Sequence, residues 1–271
     1  MKKVLITGKN SYIGTSVEKW LLKEPDKYQV ATLDLMSPDW KSHNFSTYDT
    51  IFHVAGIAHI KETAENKGLY FKVNRDLTFE LAKLAKELKV KHFIFLSSMS
   101  VYGMDEGVVT KTTKENPNTV YGASKLEAEH LLQSLESNDF KIAVLRPPMV
   151  YGDGCKGNYN VLVSFADRIS FFPSIRNKRS MLFIDTLCEF IKQIVDRNSR
   201  GLYFPQDAEY SCTCDLVMNI AKKKGKKIIL LPFLNPIIKF LMILPGKIGI
   251  LTRKAFGSLI YEKSMSFISN D

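Results

Sequence analysis

Residues 3 to 14, Lys-Val-Leu-Ile-Thr-Gly-Lys-Asn-Ser-Tyr-Ile-Gly, lead from an aliphatic run through two glycines into a helical pattern. Lys3 to Thr7 reads as a buried strand, and Gly8 to Gly14 as a turn. Ile13 to Lys23 reads as a helix with Ile13, Val17, Trp20 and Leu21 on one face, and Tyr28 to Asp34 as a second strand. Such a βαβ unit closes with a right-handed crossover. Strand, glycine turn and helix in this order are the context a dinucleotide-binding turn needs. Gly8 permits the tight turn, the helix start offers unpaired N–H groups to a pyrophosphate, and Gly14 lets helix and strand approach. Gly8, Ser11, Tyr12, Ile13 and Gly14 are the candidate contacts, with Ser11 standing where a glycine is expected. Asp34 ends the second strand twenty residues after Gly14, where a carboxylate accepts ribose hydroxyls and repels a 2′-phosphate. No arginine follows closely, so NAD(H) is favoured, with NADP(H) as the alternative. Asp34 also suits the start of a turn before Pro38.

The alternation continues. Thr50 to Ala55, His92 to Ser97 and Lys141 to Arg146 are short apolar runs, separated by helical stretches at Ala64 to Leu88 and Tyr121 to Leu135. This predicts an α/β chain with a Rossmann-type, doubly wound parallel sheet covered on both faces. Beyond Tyr151 the pattern loosens: helices at Val161 to Ile169, Asp185 to Val195 and Cys212 to Lys224, with strands at Met181 to Ile184 and Gly201 to Phe204. We expect a nucleotide-binding domain over 1–150. A smaller, interleaved C-terminal substrate lobe takes 151–271, with part of 181–200 returning to the first. A chain of 271 residues is long enough for one large core and such a lobe.

Charge is unevenly placed. Residues 221–271 hold ten Lys/Arg against Glu262 and Asp271, which is +8 of the net +10. Such a segment suits nucleic acid, anionic lipid or a phosphorylated substrate. The aromatic platform that single-stranded nucleic acid stacks on is lacking, so no nucleic-acid partner is expected. Ile228 to Pro245 is strongly apolar, but Pro232, Asn235, Pro236 and Lys239 interrupt it, and a spanning helix needs about 20 apolar residues in a row. It is expected to pack over the substrate cleft; the alternative is a short amphipathic helix in weak contact with a membrane surface, flanked by Lys222 to Lys227. The apolar run near the N-terminus is only four residues long, and the four cysteines do not suggest a disulfide scaffold, so a cytoplasmic protein is expected. Cys212 and Cys214 lack zinc-site spacing, and the five histidines show no ligand pattern; no metal is expected.

Tyr121 and Lys125 in Tyr-Gly-Ala-Ser-Lys stand one helical turn apart on one face. An ammonium there favours phenolate, lowering the phenol toward working pH so that Tyr121 can shuttle a proton, and Lys125 could also hold the nicotinamide ribose. The strand at His92 runs into Ser97, Ser98 and Ser100 at its carboxyl end, where ligands of open α/β sheets sit. A serine hydroxyl beside Tyr121 would hydrogen-bond the reacting oxygen of a substrate; a plain ST-turn is the alternative.

Taken in order, the glycine turn, Asp34, FIFLSSMSVYG, YGASK and LRPPMVYG resemble the extended short-chain dehydrogenase/reductase superfamily, in its nucleotide-sugar epimerase/dehydratase branch, over roughly residues 1 to 260. YGDGCKGNY and KRSMLFID further resemble capsule and O-antigen enzymes acting on UDP-N-acetyl-sugars. The resemblance implies Ser98, Tyr121 and Lys125 as the catalytic trio, with Ser97 and Ser100 in support. It implies Ala55, Gly56 and Pro148 beside the cofactor, Asn74 opening a helix, and Asn158 and Arg179 on the sugar nucleotide. Arg179 would meet the diphosphate, a role that a planar guanidinium fits. Met99 and Ser100 replace the Asp-Glu pair of the 4,6-dehydratases, which argues against dehydration. The segment between Asp34 and Ile51 is too short for the family's usual strand and adenine-contacting Asp, and the Leu-Gly-Trp-x-Pro type of ending is missing.

What the resemblance implies is NAD(P)-dependent chemistry at carbon 4 of a UDP-sugar in surface polysaccharide biosynthesis. Reduction of a UDP-4-keto-6-deoxy-N-acetylhexosamine is favoured, 4-epimerisation of a UDP-hexose is the alternative, and a non-catalytic NAD-binding regulator is the rival of another class. The two long helices at Ala64 and Tyr121 are those through which the superfamily forms homodimers.

Overall fold

A computed structural model describes residues 1–58, 60–155 and 158–266, with the side chain of Asn158 outside the described part. The strands of its central sheet lie in the order β10-β6-β4-β3-β1-β2, and every pairing is parallel. In chain order the elements run β1 (Lys2–Thr7), α1 (Tyr12–Leu21), β2 (Tyr28–Leu33), β3 (Thr50–His53), α2 (Lys67–Phe71), α3 (Leu77–Glu87), β4 (His92–Leu96), β5 (Gly107–Val109), α4 (Val120–Gln133) and β6 (Lys141–Leu145). There follow β7 (Met149–Tyr151), α5 (Asn158–Arg168), β8 (Phe171–Pro173), β9 (Met181–Phe183), α6 (Ile184–Arg197) and β10 (Gly201–Tyr203). The chain continues through α7 (Thr213–Lys223), β11 (Ile229–Leu231), α8 (Asn235–Ile243), α9 (Gly246–Phe256) and β12 (Leu259–Tyr261).

The sheet is apolar on both faces because alternate residues of each strand point opposite ways. Val4 and Ile6 of β1, Ile94 and Leu96 of β4, and Ala143 and Leu145 of β6 bury against Val17 and Leu21 of α1 and Leu187, Ile191 and Ile194 of α6. Leu5, Phe93, Phe95 and Ile142 bury on the other face, against Leu81, Ala82 and Ala85 of α3 and Ala128 and Leu132 of α4. α6 thus shares a core with α1, and β10 extends the sheet past β6.

Residues 35–49 form two short 3-10 turns, Pro38–Ser42 and Phe45–Thr47, and no strand, so β2 is the sheet's edge. The chain passes from β2 over β1 to β3, which puts the topological switch between β1 and β3 and opens the ligand crevice at their carboxyl ends.

The rest of the chain builds two smaller clusters. Ala166 of α5, Val217 and Ala221 of α7, and Phe172 pack together under Ile228, with Phe256 against them. Val101, Tyr102, Val109, Leu259 and Tyr261 pack where β12 pairs with β5. The apolar stretch from residue 228 differs from its expected packing over a cleft: β11 pairs with β8, and α8 and α9 then pack on each other as a hairpin whose outer residues stay exposed. No helix among the described residues is long and apolar enough to cross a membrane.

Candidate active site

The glycine turn draws three strand ends together. Gly8 has φ +89, which an L side chain rarely adopts, and a Cβ there would stand 3.0 Å from the Ala55 nitrogen just past β3. Its N–H donates to the Leu33 carbonyl at 3.2 Å, which places Asp34 beside the turn. Ser11 replaces glycine without strain: its φ is −73, and its Oγ caps α1 by accepting the Gly14 N–H at 3.1 Å. At Gly14 a Cβ would fall 2.6 Å from that same Oγ. The cap engages one first-turn amide, so those of Tyr12 and Ile13 remain for an anion. Tyr12 offers its backbone only, since its phenol is buried against Gly152 without a hydrogen-bond partner among the described residues, pushed up to about 12 chiefly by that burial.

Asp34 is exposed one residue past β2, and its Oδ1 accepts the Met36 N–H at 2.9 Å. The carboxylate therefore does start a turn through Oδ1. A crevice floor that a single Cβ would obstruct, two first-turn amides and a carboxylate at the next strand end fit a dinucleotide.

Across the crevice, β4 ends in two serines with different surroundings. Ser97, a cofactor-binding candidate on the resemblance, is buried and its hydroxyl donates to Glu129, so it faces a buried polar network. Ser98, half-buried, accepts the Ser100 N–H and donates to the Ser100 hydroxyl, both at 3.1 Å, starting the one-turn 3-10 segment Met99–Tyr102. Its side chain also interacts with the Tyr121 phenol. Pro148 is buried at the end of β6, and the neighbouring Pro147 carbonyl accepts the Met99 N–H at 2.9 Å.

Tyr121 enters from the first turn of α4. Burial pushes its phenol up to about 12, against the pull of Ser98, and the nearby Tyr70 adds to the rise. This reverses the expectation that Lys125 lowers it. The i, i+4 spacing holds, but Lys125 extends to the end of β4, where Nζ donates to the Leu96 carbonyl at 2.9 Å and lies 4.5 Å over the Phe95 ring. Burial brings Lys125 down to about 8, with Glu129 opposing.

Several supporting residues come from distant segments. Asn74 does not open a helix; it sits in a π turn, residues 72–76, between α2 and α3. Fully buried, it accepts the Ile57 N–H at 2.8 Å, donates to the Ile57 carbonyl at 3.0 Å and the Ser124 hydroxyl at 3.1 Å, and abuts Gly56. It thereby pins the segment after β3 to α4. Glu62 accepts the N–H groups of Val120 and Tyr121 at 3.1 and 3.0 Å, while the Thr119 hydroxyl takes that of Gly122. Beneath Lys125, Glu129 binds Arg146 through Nε and Nη2, and Arg146 Nη1 reaches Tyr102 and Glu115 at 2.7 Å.

Arg179, just before β9, forms backbone bridges with Ser211 and Leu259. Its Nη1 donates to the Gly257 carbonyl at 3.2 Å, and burial lowers its pKa against the pull of Asp105 and Glu106. The side chain of Asn158, at the start of α5, is outside the described residues. Cys212, Cys214 and Asp215 converge within 4.8 Å, a cluster the spacing did not suggest, but Arg176 already pairs with Asp215 at 2.7 Å.

A dinucleotide turn at the switch point of a parallel sheet, facing a Ser-Tyr-Lys set on the next strand end and helix, defines a nicotinamide-dependent enzyme of the short-chain dehydrogenase/reductase class. The chain belongs to the NAD dependent epimerase/dehydratase family, whose model matches residues 4–203. It is similar to a UDP-glucose 4-epimerase of Vibrio cholerae, 29% identical, with 81% of this chain and 75% of the relative aligned. It is also similar to the N-acetyl-alpha-D-glucosaminyl-diphospho-ditrans,octacis-undecaprenol 4-epimerase of Escherichia coli O157:H7, 25% identical over 83% of this chain and 73% of that one. Among solved structures, the UDP-glucuronic acid 4-epimerase of Bacillus cereus with NAD superposes with a TM-score of 0.74 at 18% identity, covering 98% and 94% of the two chains. The dTDP-4-dehydrorhamnose reductase of Bacillus anthracis with NADP gives 0.70 at 18%, covering 85% and 84%. The structural likenesses speak for the fold.

Proposed function

We propose that this chain oxidises and reduces carbon 4 of a UDP-sugar with NAD(H), and that the net reaction is 4-epimerisation. The observation that carries this reading is the placement of Ser98 and Tyr121 together across the crevice from the glycine turn. Tyr121 moves the proton at the sugar's O4, Ser98 hydrogen-bonds that oxygen, and the Lys125 ammonium supplies positive charge and a ribose contact at the end of β4. Gly8, the Tyr12 and Ile13 amides, Asp34 and Lys125 would hold NAD, which when bound supplies the hydride acceptor. Arg179 is the side chain proposed to meet the diphosphate, with Asn158 as a second substrate contact. Met99 and Ser100 offer no carboxylate next to Ser98, which speaks against loss of water from the sugar.

Both relatives named above are 4-epimerases, one of a sugar nucleotide and one of a polyprenyl-linked sugar, so a sugar diphosphate reacting at C4 is what they share. The capsule-enzyme likeness of residues 118–180 favours a second reading, reduction of a UDP-4-keto-6-deoxy-N-acetylhexosamine. One experiment separates the two. Protein and NAD with UDP-glucose or UDP-N-acetylglucosamine should yield the 4-epimer with no net change in nicotinamide absorbance. Stoichiometric NADH oxidation with the 4-keto substrate, and no epimer in the first assay, would establish the reductase. Cofactor binding with turnover in neither would leave a regulator.

A further inference from the structure

The hairpin of α8 and α9 presents an apolar face that no described residue covers. Phe233, Ile237, Phe240, Ile243, Ile248 and Leu251 are each more than half exposed, Ile243 at 81%. Spacings of three put Ile237, Phe240 and Ile243 on one side of α8. The hairpin is nonetheless firmly built. α9 approaches the connecting turn so closely that a Cβ on Gly249 would meet the Leu244 carbonyl at 1.8 Å, and Arg253 donates to the Met242 carbonyl at the end of α8. Asn235 ties the start of α8 to Ser174 through two 3.0 Å bonds, and Phe256 packs on Phe172. Exposure here is therefore a property of a fixed element.

The charges carried by the hairpin itself are of one sign. From 221 to 261 there is no Asp or Glu. Lys239 and Lys247 are exposed on the hairpin with no ion pair among the described residues, whereas Lys254 of α9 pairs with Asp105 at 3.9 Å and Lys224, in the exposed run before β11, with Asp167 at 2.5 Å. An apolar helical face that carries the unpaired Lys239 and Lys247 matches an anionic bilayer: apolar side chains enter the acyl boundary while ammonium groups remain at the headgroups. A second copy of the same surface would bring like charges together.

We propose that the α8–α9 hairpin docks this protein on anionic phospholipid membranes, as a surface contact that leaves the sheet and its crevice in the water. This proposal does not depend on which sugar the crevice takes.

The test is cosedimentation of the full chain with vesicles of phosphatidylcholine alone, and with about one third phosphatidylglycerol. Binding is expected to the second, falling more than tenfold between ~0.05 and ~0.5 M salt. Phe240→Asp with Ile243→Asp should abolish it while thermal unfolding and turnover of a soluble UDP-sugar stay as in the parent. Lys239→Glu with Lys247→Glu should weaken it by about fivefold per cation removed, or more. Equal binding to both vesicles, or binding unaltered by the Asp pair, overturns the proposal. So does a parent that ignores vesicles and sediments as a dimer which the Asp pair dissociates, for the face would then join two copies.

Discussion

Glu129 stands one helical turn beyond Lys125 and is clasped by Arg146 through two guanidinium nitrogens, below the crevice floor. The pair thus links β6 to the helix that carries the Tyr-Lys set, and the Glu129 charge holds up a lysine that burial would otherwise lower further. Glu129→Gln keeps the shape and removes the charge. Lys125 should then lose its proton at a lower pH than about 8, so the alkaline fall in activity begins earlier; an unmoved pH profile would confine Glu129 to packing. Arg146→Ala leaves a buried carboxylate unpaired and should cost about 3–5 kcal/mol in denaturant unfolding.

Tyr121→Phe should lower turnover by on the order of 10²-fold or more if its phenol is the acid and base, with NAD binding nearly unchanged. Ser98→Ala should be intermediate. Near-parental turnover of Tyr121→Phe would remove the phenol from the mechanism.

Gly8→Ala forces a side chain onto a backbone of φ +89 and against Ala55. The expected loss is about 1–3 kcal/mol of stability, together with NAD affinity. Calorimetry and a fluorescence titration with NADH read the two effects separately.

Asp34→Arg exchanges the carboxylate at the end of β2 for a cation. Preference should move from NAD(H) toward NADP(H), as compared in paired titrations. Unchanged preference would leave Asp34 with only the turn it makes at Met36.

Acid should weaken the protein through two buried histidines. His53, between the Thr7 and Thr78 hydroxyls, is brought down to about 3 by burial, with Lys125 adding to the effect, and His92 to about 4, chiefly by burial. The unfolded chain takes up these protons near pH 6.5, the folded one far lower. Their contribution is therefore complete above about 6.5 and drains away as pH falls toward 4 and then 3. Denaturant midpoints at intervals down to pH 4.5 should fall steadily, and a flat series would exclude both residues as the cause.

The central sheet was legible because β1, β3, β4 and β6 are short apolar runs between long amphipathic helices, a pattern few other folds produce. Three-residue strands such as β5 and β12 carry no period at all; they exist because distant segments meet. The π turn at Asn74 is hidden inside one continuous helical run. Ser11 looked like a lost glycine, yet its backbone never needed one, and a capping hydroxyl does the work of holding the turn. Glu62 had no signal, since what gives it a role is a helix start 58 residues away. The Tyr-Lys spacing was read correctly as geometry but not as electrostatics: which way a lysine extends depends on the carbonyl it finds.

Glu62 carries one more consequence. It is exposed in the stretch that follows β3, yet it closes the amides at the head of α4. Removing that carboxylate, as in Glu62→Ala, should weaken this helix start by about 1–2 kcal/mol. A change in the exposed stretch after β3 is thereby felt at the footing of the helix that carries Tyr121.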